Sequence, residues 1–431
     1  EGTHFDKKLS FVKRFVAVMW PEMSTASTTI DDWKSSSKSK YRKTVSELTA
    51  TLELPEVLLS AKREDEINFG KVASKATFLL TKTFLNETKD GEQRSKDPKR
   101  LRMTEMFIGQ LVNKGLKGSQ LMPHEIVRKI LRTSKISSSE ELVLDAQWKD
   151  LWKNVVAEVK AKSEAEGLDF DPTRMIPLSD VSGSMSGVPM EVSIALGIGI
   201  SEITHEAFQN MVMTFESVPK WHRLVPTDSI VKKVRSLARA PWGGSTNFVG
   251  AYELILKVCM DNKLSREDMP SIIVFSDMQF NAAAGLGGNH WSYVPSDRID
   301  EEQMMQGVLD KIKARVAAVA TSLGWSDTEP TPIVFWNLRN TGGHPVNKTS
   351  EGAVLLSGFS PSLLKLVMNG EALQEEEIEV VQSDGTVTTE RMRVSPEQVL
   401  RKMLDDDLYA PVRAILAASN EGALVEYSSL K

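Results

Sequence analysis

An aspartate and two serines at alternate positions, Asp180, Ser182 and Ser184, follow a short apolar run in the segment Ile-Pro-Leu-Ser-Asp-Val-Ser-Gly-Ser-Met-Ser-Gly, residues 176–187. A carboxylate and two hydroxyls on a turn after a strand can converge on one hard cation, because Mg²⁺ takes oxygen ligands at about 2.0–2.1 Å in an octahedron. Further oxygens lie downstream. Gly243-Gly244-Ser245-Thr246-Asn247 supplies a hydroxyl on a glycine loop, and the apolar run Ile272–Phe275 leads through Ser276 to the carboxylate of Asp277. Three loops thus offer oxygen ligands, each at the carboxyl end of a strand pattern. In open α/β sheets that edge is where ligands bind.

Enzymatic readings of the same segment fail on particular residues. A phosphoaspartyl phosphatase needs a second carboxylate two residues after Asp180, where this chain has Ser182. A nucleophile elbow needs Ser at the centre of Gly-x-Ser-x-Gly, but Gly183 to Gly187 centres on Met185. The Gly-Lys-Ser/Thr of a Walker loop is absent. Binding without turnover is the expectation, with no small-molecule substrate.

The elements that must position these residues change character along the chain. Tyr41–Leu59, Ile67–Leu85, Leu101–Lys114, Pro123–Leu131 and Glu140–Glu166 carry apolar residues at spacings of three and four, which predicts five or six antiparallel helices, a pattern a degenerate HEAT-like stack would accommodate. From Met175 short apolar runs alternate with helical stretches. Strands are expected at Arg174–Leu178, Asn210–Thr214, Ser271–Phe275, Pro332–Trp336 and Ala353–Leu356, in a doubly wound and mostly parallel sheet. Val192–Ile203, broken by Ser193, Gly197 and Gly199, reads as a buried helix after the first loop. Phe280–Pro295 reads as a loop beside the metal ligands. An acidic run, Glu375–Glu379, precedes a β-hairpin over Val380–Thr389, and final helices are expected over Pro396–Leu404 and Tyr409–Ala418. The predicted fold class is therefore α/β. Its parts are a basic all-helical domain over 1–168, a sheet domain over 169–370, and an acidic hairpin with C-terminal helices over 371–431 that pack back on the body.

Composition bounds the rest. The chain has 431 residues, 41% hydrophobic and 26% charged, which suits a water-soluble globular protein of two or three domains. No apolar run approaches the roughly 18 residues of a membrane span, so no membrane partner is expected. A single cysteine, Cys259, excludes an internal disulfide framework and points to a reducing, intracellular compartment, cytoplasmic or nuclear. The six histidines show no ligand spacing for zinc. Because residue 1 is Glu and not Met, the natural chain is expected to start earlier. Charge is uneven: residues 1–170 hold 30 Lys/Arg against 25 Asp/Glu, and residues 171–431 hold 23 against 33. Within the first part, Lys89 to Lys135 contains 12 basic and 5 acidic residues. Lys96, Lys99, Arg100, Arg102, Lys114, Lys117, Arg128 and Arg132 are its candidates for phosphate contacts with RNA, structured or single-stranded.

Asp-x-Ser-x-Ser, then a Thr, then an Asp, in this order, resembles the metal-ion-dependent adhesion site (MIDAS) of von Willebrand factor A (vWA) domains. The resemblance covers roughly residues 171–370. It implies a metal set of Asp180, Ser182, Ser184, Thr246 and Asp277 around Mg²⁺ or Mn²⁺, with one coordination position left for an Asp or Glu of a protein partner. A helical basic region followed by such a domain, together with Asn68-Phe-Gly-Lys-Val-Ala-Ser74, Pro123-His-Glu-Ile-Val127 and Leu356-Ser-Gly-Phe-Ser-Pro-Ser362, also resembles the Ro autoantigen and a family of plant, fungal and giant-virus proteins of the same plan. In Ro-like proteins a ring of helical repeats, closed by the vWA domain, binds structured and misfolded RNA. About 165 residues precede the vWA-like segment here, fewer than a full ring needs. Two functions are therefore expected in competition: a metal-dependent, non-enzymatic interaction scaffold, and a ribonucleoprotein component that uses the basic helices.

Overall fold

A computed structural model describes residues 30–166, 174–180, 183–214, 218–240, 247–277, 301–339, 353–358, 375–381 and 387–393, with Asp405 and Ala410. The chain is mixed α/β, helices first and sheet after, as the sequence pattern predicts. It divides into two compact units, Glu1–Lys114 and Gly115–Lys431. The expected boundary near residue 168 marks where helices give way to strands. The compact units part earlier, so two helices that read as amino-terminal belong with the sheet.

In the first unit the described helices are α1 (Ile30–Thr51), α2 (Pro55–Ser60), α3 (Ser74–Phe84) and α4 (Pro98–Lys114). The expected helix over 41–59 is two helices, because Glu53 takes a positive φ of 47° and Pro55 opens α2. Phe69, Phe84 and Phe107 form its aromatic centre, with ring centroids 5.0 to 5.3 Å apart in tilted and edge-on pairs. Residues 67–73 do not extend α3, yet Ile67 and Phe69 are as buried as the helix that follows.

The second unit opens with α5 (Pro123–Arg132) and α6 (Ser138–Glu166). Pro123 sits in the first turn of α5, and the Glu125 carboxylate accepts the Met122 N–H at 3.3 Å. The strands are β1 (Met175–Ser179), β2 (Met211–Thr214), β3 (Trp221–Arg223), β4 (Ser271–Ser276), β5 (Ile333–Asn337) and β6 (Ala353–Ser357), in the order β3-β2-β1-β4-β5-β6. All neighbours pair parallel except β2 with β3. β1, β4 and β5 are buried along their whole length, as strands covered on both faces must be. On one face lie α9 (Phe248–Asn262) and α10 (Glu301–Leu323), whose Tyr252, Ile255, Ile312 and Val316 join Ile176, Leu178, Val274 and Phe335 in one core.

The other face is covered by α7 (Val188–Ile203), apolar all round and buried from Glu191 to Ser201. A Cβ on Gly197 would lie 2.3 Å from Ser179 Oγ, so the missing side chain lets α7 settle onto β1. α5 packs against α7, and α8 (Ile230–Leu237) packs against α5, α6 and α7. Carboxylates of α6 hold the start of α8: Asp145 Oδ1 accepts the Ile230 N–H at 2.6 Å, and Ser229 Oγ donates to Glu141. The expected hairpin is present as β7 (Glu375–Val381) paired with β8 (Val387–Arg393), so the acidic run is itself a strand rather than a prelude to one. Ser182, Thr246, the loop at 280–295, Phe359–Ser362 and the expected C-terminal helices, apart from Ala410, lie outside the described residues. No helix among the described residues is long and apolar enough to cross a membrane.

Candidate metal centre

β1 and β4 lie side by side with Ser179 opposite Phe275. The Asp180 N–H donates to the Phe275 carbonyl at 2.9 Å, which carries the ladder one residue past the end of β1. This bond fixes the backbone from which the carboxylate springs. Asp180 is 3% exposed, and its Oδ2 accepts the Ser276 hydroxyl at 3.0 Å. Asp277, the next residue along β4, is 2% exposed. Two carboxylates that the sequence places 97 positions apart therefore end neighbouring strands, both withdrawn from water. Such burial costs several kcal/mol per ion unless opposite charge or donors surround it.

Strand order makes this place special. Connections run to one side of β1 through β2 and β3, and to the other side through β4, β5 and β6. The order reverses between β1 and β4, and that switch point is where doubly wound sheets open a crevice at their carboxyl edge. Asp180 and Asp277 stand at this switch point.

Ser184 lies on the short 3-10 turn Gly183–Met185, exposed, while Met185 beside it is buried and pins the turn to the body. Gly187 follows with φ 94°, a conformation that glycine tolerates, and Pro189 in the first turn starts α7. Asn247, the residue after Thr246, caps α9 by accepting the Gly250 N–H at 3.0 Å. Of the five expected ligands, the structure brings Asp180 and Asp277 together and sets Ser184 on the loop after β1; Ser182 and Thr246 are not described. Among the described residues no group of three or more His, Cys, Asp or Glu side chains gathers, and a MIDAS-type set would not form one, since it has only two carboxylates.

One side chain at this edge carries no sequence signal. Arg339, two residues past β5, sends Nη2 to the Ser186 carbonyl at 3.4 Å, while its N–H donates to the buried Asn337 side chain at 2.9 Å. It links the loop after β1 to the end of β5, with β4 between them in the sheet.

The eight basic candidates divide. Lys96, Arg102 and Lys114, in the first unit, and Lys117, in the second, are exposed. Lys99 Nζ donates to the Lys62 carbonyl at 3.1 Å and lies 3.7 Å from Asp65, and Arg100 lies 3.5 Å from the buried Glu64. Arg128 and Arg132 both reach Glu191 in the first turn of α7, at 2.6 and 3.4 Å. Glu191 is itself buried, so these two arginines fasten α5 to the helix that follows the first metal loop.

A family model described as Domain of unknown function (DUF7788) matches residues 174–404, more than half of the chain. The chain belongs to this family. The DUF7788 stretch contains every strand of the six-stranded sheet and all five expected metal ligands. A second model, Domain of unknown function (DUF2828), matches residues 3–163. An uncharacterized protein of Acanthamoeba polyphaga mimivirus is 31% identical over 338 residues, covering 77% of this chain and 52% of its own length. The chain thus spans about half the length of that relative. No solved structure matches.

Proposed function

We propose that the DUF7788 region is a vWA-type domain, preceded by a HEAT-like helical arm. In this reading its carboxyl edge holds Mg²⁺ or Mn²⁺ through Asp180, Ser182, Ser184, Thr246 and Asp277, and the protein is a non-enzymatic scaffold that captures an Asp or Glu of a protein partner. The observation that carries this reading is the pair of buried carboxylates at the switch point between β1 and β4. A donor set made only of carboxylate and hydroxyl oxygens fits hard divalent cations, and a cation offsets the burial of two like charges on neighbouring strands. When bound, it supplies one exchangeable coordination position for an incoming carboxylate. The chain's own part is to hold the ligands: Ser276 orients Asp180, buried Met185 anchors the turn that carries Ser184, and the Asn247 cap fixes the backbone beside Thr246.

A Ro-like RNA-binding role draws less support, because Lys99, Arg100, Arg128 and Arg132 already face carboxylates of their own chain.

Titration of the full chain with Mn²⁺, followed by calorimetry, tests the metal reading. One saturable site in competition with Mg²⁺ is expected, weakened at least tenfold in Asp180→Asn and Asp277→Asn, since even outer contacts of metal ligands move affinity by roughly 10- to 100-fold. Circular dichroism of the variants should match the parent. Absence of saturable binding, or equal binding by the variants, refutes the site. Crosslinked affinity purification with parent and Asp180→Asn then separates protein capture from RNA capture: protein lost in the variant and in EDTA supports the scaffold, whereas RNA retained by both forms supports the Ro-like reading.

A further inference from the structure

The C-terminal ends of α5 and α8 form a cavity of about 300 Å³ that opens broadly to solvent, lined by Ile130, Leu131, Thr133, Ser134, Arg235, Ala238 and Arg239. Its chemistry is asymmetric: apolar on the Ile130 and Ala238 side, cationic and hydroxylic elsewhere. Arg235 Nη2 donates to the Thr133 and Ser134 carbonyls at 3.1 and 3.5 Å. These bonds satisfy carbonyls just past the end of α5 and hold the guanidinium plane, while Nε and Nη1 donate to no other group among the described residues. Arg239, four residues on, is exposed, and among the described residues its guanidinium has neither hydrogen bond nor ion pair. It is therefore surplus to the capping that Arg235 already performs. Elsewhere in this unit several cations meet carboxylates: Arg128 and Arg132 face Glu191, Lys129 faces Glu140, Lys233 faces Glu202 and Arg266 faces Asp327.

We propose that this cavity is a phosphoryl-binding site that takes a phosphorylated Ser or Thr side chain of a protein partner. Two guanidiniums four residues apart in sequence, both lining the cavity, offer forked donors that match the oxygens of a phosphomonoester, and the hydroxyls of Thr133 and Ser134 add neutral donors. Ile130, Leu131 and Ala238 give the carbon part of the residue an apolar wall. No aromatic side chain lines the cavity, so it lacks the stacking surface with which proteins hold unpaired bases. That favours a phosphopeptide over RNA. The exposed Lys135, next in sequence to Ser134, adds positive charge at this end of α5. The site stands apart from the metal reading, because none of its residues is an expected ligand.

The test is calorimetric titration of the full chain with N-acetyl-O-phosphothreonine amide, its unphosphorylated counterpart, inorganic phosphate and a short oligouridylate. Saturable binding of the phosphorylated probe alone among the two amides is expected, with inorganic phosphate competing. Arg239→Gln should weaken it about tenfold, as loss of a charge-assisted contact does. Because Arg239 makes no hydrogen bond or ion pair among the described residues, Arg239→Gln should leave the melting temperature and Mn²⁺ binding of the parent unchanged, so lost binding would report the ligand and not the fold. Failure of the phosphothreonine probe to saturate overturns the proposal, and so does equal binding by parent and Arg239→Gln. Binding of inorganic phosphate without the amide would make this a free-anion site, and Arg239-dependent binding of oligouridylate tighter than the amide would make it an RNA contact; either overturns the phosphopeptide assignment.

Discussion

Replacing Gly199 by Ala should destabilise the second unit even though alanine is the better helix former. A Cβ at this position of α7 would lie 1.7 Å from Cζ2 of Trp152 and 2.0 Å from its Cε2, far inside contact distance. Trp152 is 4% exposed, and its ring packs at a tilt against that of Trp148 with centroids 5.7 Å apart, so moving it away disturbs a buried neighbour. Overpacking of this kind costs about 1–3 kcal/mol, and the gain from Gly to Ala in a helix interior offsets about 1 kcal/mol of it. With contacts this short the cost belongs at the upper end of that range, so a net loss of about 1–2 kcal/mol follows, which for a unit of this size lowers the melting temperature by about 2–4 °C. The assay is thermal and urea denaturation of Gly199→Ala, Trp152→Leu and the double variant. Trp152→Leu alone leaves a cavity, but it also removes a buried indole N–H that has no acceptor among the described residues. In the double variant the new methyl group enters the space the ring vacated, so the two losses should fall short of additivity by 1 kcal/mol or more. A neutral or stabilising Gly199→Ala, or additivity within about 0.5 kcal/mol, would refute the claim that glycine sets the distance between α6 and α7.

Burial raises the Asp145 carboxyl above its ordinary value of 3.8, against the opposing effects of the Ile230 N–H and of Lys149 and Lys233, and with a further rise from Glu141. A raised folded-state value means that the native state holds the proton more firmly than the unfolded chain, so the contribution of this group is fully present below 3.8 and is lost as pH rises through the folded value. Asp145→Asn, which keeps an acceptor for Ile230, should therefore be more stable than the parent at pH 7, with the difference vanishing below pH 3.8 in urea melts; a pH-independent difference would refute this. Cys259 is wholly buried in α9 and its thiol is pushed up to about 12 by that burial. Ellman's reagent at pH 8 should modify it only at the rate at which the surrounding core opens, and prompt stoichiometric reaction of the native protein would show that the core is not closed.

Much of the sheet is legible because β1, β4 and β5 are each built on an apolar run of four residues, a pattern that survives without knowledge of neighbours. Their observed bounds differ from the expected ones by at most one residue at each end. β3 is not legible: it has three residues, two half-buried and one exposed, and its pairing with β2 is what makes it a strand. The two aspartates could be found since each directly follows such an apolar run. Arg339 and the Arg235–Arg239 cavity could not, since a lone arginine after a strand and two arginines at the end of a helix are common, and their meaning comes from contacts 100 or more positions away.

Charge is where reading along the chain misleads most, and the reason is geometric. Sequence counting finds a basic stretch at 89–135 and a carboxylate-rich remainder, and treats them as faces toward different partners. In the folded chain buried carboxylates are answered from that stretch: Glu64 by Arg100, Glu140 by Lys129 at 3.1 Å, Glu191 by Arg128 and Arg132. Removing one member of such a pair costs more than an exposed pair ever contributes, because the survivor is left charged and out of water. The basic character of the stretch is thus in part a complement to the chain's own interior. Arg239, whose guanidinium meets none of these carboxylates among the described residues, lies two residues past the end of α8, beyond the stretch that counting picks out. A cation is informative about partners only after the carboxylates of its own fold have been assigned, and that assignment requires the three-dimensional register of α5 on α7 and of α8 on both.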